Sequence, residues 1–404
     1  MSLEDNRTID RAEVYRGEKR IGRIRRTAAG AVFDFDPRPE SGLSFRMPAD
    51  RPSYAVRGVN LHPFFAGLLP EGMRLNALIG RVKTSPDDLF SLCLAAGPDC
   101  IGDVSLVLPG AAPEAGAPSV ELDRLEQESF PELFRRSLDY AGPAPEPSLP
   151  GVQDKISAAM ISFPLRGRAK QGAHILKLNP ADKPSLVDNE LFFMGMARAC
   201  GLQAAEARVV RDRDGAKGLL VRRFDRLPDP AHRTWRKVHV EDACQFTDRY
   251  PADKYRLSLA EIADGIQELA SAPLVTLLRL LQLAAFSYLI ANGDLHARNI
   301  SLWLEPASGR VELSPVYDLL SSLPYGDRRM ALKLDGRDDN LKRSHFLRFG
   351  ERLGLRPAAV QAMLDRLCAK VAPWQAELER IGLGPRKTED LRRVMRRRLA
   401  DLGP

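Results

Sequence analysis

The run LVTLLRLLQLAAFSYLIA, residues 274–291, limits this chain more than any other stretch of it. Its apolar residues lie nearly all round a helix, so it needs a large protein around it rather than a surface to lie on. A bilayer is a poor home for it, because Arg279 and Gln282 sit near its middle and are costly in lipid. The chain has 404 residues. At roughly 150 residues per domain that is two to three domains, long enough to bury such a core without disulfides or metals.

Composition removes other classes. With 44% hydrophobic and 28% charged residues, this is an ordinary globular chain, not a disordered, collagen-like or disulfide-scaffold one. The polar, acidic start MSLEDNRTID argues against a signal peptide. Five cysteines with no C-x-x-C pair suit a reducing cytoplasm, and no membrane association is expected. The net charge of +7 permits acidic partners such as nucleotide phosphates, tRNA or DNA without requiring them. Much of the excess sits at Arg386, Lys387, Arg392, Arg393, Arg396, Arg397 and Arg398. This reads as a solvated C-terminal helix, with a phosphate- or partner-facing patch as the other reading.

Two Pro/Gly-rich breaks divide the chain, at 109–118 and 142–151. Before them, EVYRG, RIGRIRR and AVFDFD alternate as short strands, and helical patterns follow at 61–82 and 85–97, the second with Ser85 as N-cap. After them, SAAMISF and GAHILKLNP read as paired strands and NELFFMGMARACGL as a helix ending at Gly201. ARVVRDRDGAKGLLVRRFDR reads as strand, Asp-Gly turn, strand. From about 239 the pattern is mainly helical. The expected fold class is α+β, with a β-rich N-terminal subdomain (1–110), a linker segment (111–150), a sheet-plus-helix lobe (151–238) and a helical lobe (239–404).

The chemistry concentrates where the core helix breaks, in AAFSYLIANGDLHARNISLWL, residues 284–304. After Asn292-Gly293 come Asp294, then Asn299 five positions on, then a strand-like run at 300–304. Protein kinases use this order: an Asp that takes the proton of the attacking hydroxyl, then an Asn that holds Mg²⁺. Asp318 follows at the end of an expected strand, 311–317, where a carboxylate reaches back to the same metal. Upstream, Lys177 in HILKLNP is a lone cation on an apolar strand, the type that grips nucleotide phosphates, and Glu190 lies thirteen residues on as its possible partner. No G-x-x-x-x-G-K-[ST] or G-x-G-x-x-G is present. In SLPGVQDK, residues 148–155, Gly151 allows close backbone approach to an anion and Lys155 adds charge. His174 and Cys244 read as core residues, Trp235 and Trp303 as packing anchors, and His62, His239 and His345 have no metal spacing.

Taken together, SLPGVQDKIS, HILKLNP, DNELFFMGMARACGL, LLVRRFDR, EDACQ with DKY, LIANGDLHARNIS and SPVYDLLSS resemble the HipA family, the kinase toxins of bacterial toxin–antitoxin pairs. LSFRMP and the GLLPEG…DDLFSLCLAAGPDCIGDV stretch extend the resemblance to the N-terminal subdomain. The resemblance implies a bilobal kinase-like fold, ATP with Mg²⁺, and phosphorylation of protein Ser/Thr. It implies Asp294 as catalytic base and Asn299 and Asp318 on the metal. It implies nucleotide contacts from Pro150, Gly151, Val152, Gln153, Asp154, Lys155, Lys177, Arg222, Arg223, Phe224, His296, Ala297, Arg298, Asn299, Tyr317 and Asp318, and autophosphorylation of Ser148 as self-inactivation. It also implies a helix-turn-helix antitoxin (HipB-like), operator DNA reached only through that antitoxin, and an aminoacyl-tRNA synthetase as substrate class.

Arg222 stands where the family often has Glu, Leu295 where a small residue is frequent, and Arg298 where Lys is usual. A small-molecule phosphotransferase of the aminoglycoside/choline kinase kind would share the Asp/Asn/Asp set but lack the Ser148 segment and the N-terminal subdomain. A non-catalytic co-repressor would not need the four polar residues at 177, 294, 299 and 318.

Overall fold

The computed structural model describes residues 3–37, 41–58, 61–97, 100–113, 122–137, 161–166, 172–229 and 234–404. Ser148 and the stretch 150–155 lie outside them, as does the first part of SAAMISF.

The N-terminal alternation folds as expected and goes further. Strands β1 (Arg11–Arg16), β2 (Lys19–Thr27), β3 (Gly30–Phe35), β4 (Ser53–Arg57) and β5 (Val104–Val107) form one sheet in the order β4-β3-β2-β1-β5. Val14, Ile24 and Phe33 point one way along these strands, as a period of two requires. They pack on Phe64, Phe65, Phe90 and Leu92 from the helices Pro63–Gly67 and Leu89–Ala96. The N-cap of the latter is Asp88, whose carboxylate accepts from Ser91 N, rather than Ser85. Ser85 instead accepts from Asp87 N in the turn before it.

The second lobe holds an antiparallel sheet of β6 (Ile161–Arg166), β7 (Ala173–Leu178), β8 (Ala207–Arg211) and β9 (Lys217–Arg222), in the order β6-β7-β9-β8. One face packs on Phe130, Leu133 and Phe134 of the helix Phe130–Ser137 and on Ala77 of the N-terminal subdomain. The helix Leu186–Ala199 covers the other face. A hairpin of β10 (Arg226–Asp229) and β11 (Thr234–Lys237) leads to the third lobe.

That lobe is built round the helix Pro273–Leu289. Eleven of its residues, from Thr276 to Leu289, are buried, but Leu274 and Val275 at its start are 53% and 56% exposed, so the all-round apolar face begins a turn late. The sheet β12 (Val240–Asp242), β13 (Ser301–Leu304), β14 (Val311–Leu313) lies beside it; β13 and β14 fall on the strand-like runs expected at 300–304 and 311–317, and β12 is added to them. The helix Pro385–Leu402 carries the basic run. It is not a solvated face throughout, since Leu391, Met395, Arg398 and Leu402 are buried. Arg392 and Arg393 are held by Glu379, Glu389 and Asp390. Among the described residues no helix is long and apolar enough to cross a membrane, and the five cysteines are buried and form no disulfide.

Candidate active site

Where the core helix ends, the chain must reverse without leaving the core. Ala291 takes a left-handed conformation, φ +55°, and Gly293 follows. A Cβ on Gly293 would stand 2.5 Å from the Arg329 carbonyl oxygen, so only glycine fits, and its N–H donates to Ser322 Oγ at 2.6 Å. Asp294 comes next and is 2% exposed. Its own N–H donates to Asn292 Oδ1 (2.9 Å), and its carbonyl accepts from Asn299 Nδ2 (2.9 Å). The short turn Ala297–Asn299 brings Asn299 back to that carbonyl. The five-residue spacing thus closes a loop whose two polar ends touch. That bond orients the amide, whose oxygen is a hard donor of the kind magnesium takes.

Lys177 on β7 and Glu190 on the helix Leu186–Ala199 are both buried, and Lys177 Nζ donates to Glu190 Oε1 at 2.7 Å. The same ammonium also donates to Asp318 Oδ1. Burial pushes the Lys177 pKa down, but the Asp318 and Glu190 carboxylates outweigh it and hold the ammonium charged. Burial pushes Glu190 up to about 7, against the pull of Lys177. Glu190 Oε2 has no hydrogen-bond partner among the described residues.

Asp318 is not at the end of a strand running 311–317. β14 stops at Leu313, because Pro315 has no N–H to give a ladder. Val316 then turns to a parallel bridge with Ala204, its N–H donating to Gln203 O at 2.6 Å. Tyr317 donates to Arg298 O (2.8 Å) and accepts from Ser301 Oγ (2.7 Å), and burial raises its pKa. Asp318 itself is left-handed, φ +55°, the conformation that brings its carboxylate to Lys177. Its side chain keeps about a third of its exposure (31%), so it faces open space as well as the lysine. Asn299 and Asp318 together offer oxygen donors only, which suits a magnesium that takes one or two protein oxygens and completes its shell with phosphates and water. No group of three or more His, Cys, Asp or Glu able to hold a metal occurs among the described residues, and such a magnesium does not need one.

Other sequence-derived candidates are placed differently. Arg222 reaches outward to Glu206 (3.1 Å), and its N–H is used by Glu206 O. Arg223 is buried against Asp225 (2.8 Å) and donates to Cys100 O, while its N–H serves Ala173 O. A nucleotide contact on this strand is therefore left to carbonyls and to Phe224, whose ring lies 5.8 Å from both Tyr317 and Trp303. The Arg298 guanidinium is spent on Asp242 (2.9 Å), Glu71 (3.0 Å) and the Gly67 carbonyl (2.8 Å). Its side chain thus holds the loop to the N-terminal subdomain and has no free edge for a phosphate. His296 and Ala297 are buried beside it, and burial with the nearby Lys254 cation lowers His296 to about 3, so it is neutral.

A model of the HipA-like C-terminal domain matches residues 147–374, and one of the HipA N-terminal domain matches residues 12–107. The chain belongs to the HipA family. Two Sinorhizobium fredii proteins described as putative kinases, Y4mE and Y4dM, are each 30% identical to it, over 73% of this chain and 72% and 71% of their own lengths. The toxin HipA of Shewanella oneidensis, solved with HipB and its operator DNA, superposes with a TM-score of 0.77 at 22% identity, covering 96% of both chains. That likeness establishes the α+β kinase-like fold.

Three polar residues of this HipA family member stand at the site without having been singled out from the sequence. Tyr255 OH donates to Asp294 Oδ1 at 2.9 Å. Lys254 Nζ donates to Glu71 at 2.9 Å. Glu71 comes from the N-terminal subdomain, and its pKa is held at about 2 because Arg298 and Lys254 outweigh burial, which alone would raise it. The quoted stretches GLLPEG and DKY contain all three, but nothing in their spacing says that they meet 183 residues apart.

Proposed function

We propose that this HipA family member is an ATP-dependent protein serine/threonine kinase acting as a growth-arresting toxin. The observation that carries the reading is the buried Lys177–Glu190 pair with Asp318 on the same ammonium, in a chain that also closes the Asp294–Asn299 loop. Kinase chemistry requires that pair and that loop together. The descriptions of Y4mE and Y4dM support the same chemistry.

In this reading Asp294 accepts the proton of the attacking hydroxyl, and Asn299 and Asp318 supply oxygens to Mg²⁺. Lys177 neutralises nucleotide phosphate charge in a partly dry cleft, where a fixed cation is worth more than in water. ATP·Mg supplies the phosphoryl group and the countercharge for its transfer. Pro150, Gly151, Val152, Gln153, Asp154 and Lys155 are proposed as the phosphate loop, and Ser148 as the residue whose own phosphorylation, adding about −1.5 to −2 charges, would compete for that loop. A HipB-like helix-turn-helix antitoxin is the proposed partner, by analogy with the Shewanella complex. Operator DNA would be reached through it, and an aminoacyl-tRNA synthetase is the proposed substrate class.

The test is phosphoryl transfer from ATP·Mg by purified chain. Asp294→Asn should lose ~10²–10⁴ in rate, as removal of a general base does, while ATP·Mg affinity by calorimetry stays near wild type. Lys177→Ala should instead lose affinity. Phosphopeptide mapping should find phosphate on Ser148 in the active chain and none in Asp294→Asn. Wild-type transfer by Asp294→Asn would overturn the reading. Nucleotide binding with no phosphate on any protein would favour a silent co-repressor.

A further inference from the structure

The N-terminal subdomain sends one carboxylate into the back of the candidate active site. Glu71 lies between the short helices Pro63–Gly67 and Gly72–Val82. It meets Arg298 (3.0 Å) and Lys254 (2.9 Å), both otherwise embedded in the third lobe. The approach is tight on the same stretch: a Cβ on Gly67 would stand 2.5 Å from Gln245 Cγ, and Gln245 Nε2 donates to Phe64 O at 2.9 Å. Arg298 donates as well to the Gly67 and Leu69 carbonyls.

Lys254 is one residue from Tyr255, and its ammonium lies 5.1 Å from that ring. Its carbonyl accepts from Ala297 N at 3.0 Å, which clips the segment onto the catalytic loop itself. The Tyr255 ring meets His296 edge-on at 5.1 Å, and its hydroxyl ends on Asp294 Oδ1. Glu71 therefore ties down the loop at Arg298 and, through Lys254, the tyrosine that fixes one oxygen of Asp294.

We infer that Glu71 and Tyr255 are positioning residues for phosphoryl transfer, linked through Lys254, so that the N-terminal subdomain sets the geometry of the Asp294 carboxylate. The inference rests on the kinase reading above. A carboxylate with one oxygen held by a tyrosine presents its other oxygen in a fixed direction, and an error of about 1 Å in such a group costs about 10²-fold in rate at the extreme. Ground-state nucleotide binding uses other groups and is untouched.

Three variants test it: Glu71→Gln, Tyr255→Phe and their double. Each single variant should lower kcat for phosphoryl transfer from ATP·Mg roughly ten-fold, with the dissociation constant for ATP·Mg unchanged. Residues acting through one relay are not additive, so the double should lose about as much as either single rather than about a hundred-fold. Unchanged kcat in either single, a fully additive double, or a loss that falls on ATP·Mg affinity instead of kcat would each overturn the inference. Should Glu71→Gln fail to fold, Lys254→Met takes its place in the cycle, since it leaves the Glu71–Arg298 pair intact. Failure of the kinase reading is distinct, because it would appear as wild-type transfer by Asp294→Asn.

Discussion

Two buried ion clusters flank the candidate active site, and they are charged differently. Around Arg298 there are two cations, Arg298 and Lys254, and two carboxylates, Glu71 and Asp242, joined in a chain Lys254–Glu71–Arg298–Asp242. Around Lys177 there is one cation against two carboxylates, Glu190 and Asp318. The first is closed and neutral. The second carries a surplus negative charge, which the chain relieves by holding Glu190 near its own titration point at about 7. Low-dielectric surroundings make such an imbalance expensive unless it has a use. In the proposed reading a divalent cation at Asp318 would offset it, and Lys177 would then be released to face phosphate oxygens. On that reading, balance marks the cluster that builds the molecule, and imbalance the cluster proposed to take a ligand.

The sharpest way to break this contrast is Arg298→Ala. It leaves a buried Asp242 without its cation and a half-buried Glu71 with Lys254 alone, and breaking a buried pair such as Arg298–Asp242 by removing one partner costs about 3–5 kcal/mol. Chemical denaturation should show that loss with little dependence on pH between 6 and 8. Arg298→Lys should recover only part, because an ammonium cannot span Asp242, Glu71 and two carbonyls at once. A near-neutral Arg298→Ala would remove the structural half of the comparison.

Lys177→Met should cost less stability, about 1–3 kcal/mol for the polar groups left unsatisfied, and its cost should depend on pH. Glu190 has a folded pKa raised above its ordinary value, so the stability it confers is full at pH below about 4.5 and is lost as pH rises through about 7. Removing Lys177 takes away the group that pulls Glu190 down and raises it further. The deficit against wild type should thus be smaller at pH 6 than at pH 9. Denaturation curves at the two pH values decide it, and equal deficits would mean that Glu190 does not take up the surplus.

The unequal clusters also explain what was legible in the sequence. Lys177, Asp294, Asn299 and Asp318 could be named because each sits at a fixed place relative to a strand or a helix break, and a short loop needs no distant partner to be recognised. The place of Glu190 on the next helix points to it as a possible partner of Lys177, and the pair does form. Glu71, Lys254 and Tyr255 could not be assigned, because their meaning lies in contacts across 183 and 39 residues of chain. Arg298 looked like a phosphate ligand for the same reason: its motif neighbours suggest one, and only the fold shows its guanidinium already taken. β14 ends four residues before the expected 317, since hydrophobic character continues past Leu313 while Pro315 ends the ladder.

A third buried cluster extends the comparison to the boundary between the N-terminal subdomain and the rest. His239 lies between Asp103 (2.8 Å) and Glu241 (2.8 Å), with Arg16 on Asp103 at 3.0 Å. Two cations again balance two carboxylates once the imidazole is protonated. Burial pushes His239 down, but the two carboxylates outweigh it and lift it to about 9. A histidine raised in the folded state gives stability that is full below its unfolded value of 6.5 and is lost as pH rises through about 9. His239→Gln should flatten the stability profile in that window by about 1–3 kcal/mol, the order expected for a shift of this size. An unchanged slope from pH 6.5 to 9 would show that the imidazole is neutral and the cluster unbalanced.

The smallest effect is expected where the sequence seemed most unusual. Arg222 takes a position that often carries Glu in the family, on the strand between the lobes. Its side chain is 42% exposed and, among the described residues, pairs with the more exposed Glu206. Exposed pairs of this kind contribute about 0–1 kcal/mol. Its backbone N–H already belongs to Glu206 O, so a change of side chain leaves the strand's ladder intact. Arg222→Ala should therefore alter stability by about 0.5 kcal/mol or less, the usual range for a surface site, and leave ATP·Mg affinity unchanged by calorimetry. Arg222→Glu is the harsher probe, because it sets a second carboxylate against Glu206 and should be the less stable of the two. A several-fold loss of ATP·Mg affinity in Arg222→Ala would mean that this guanidinium leaves Glu206 when nucleotide binds. In that case an exposed, balanced pair would serve the ligand as Lys177 is proposed to do, and charge balance would no longer separate the building clusters from the waiting one.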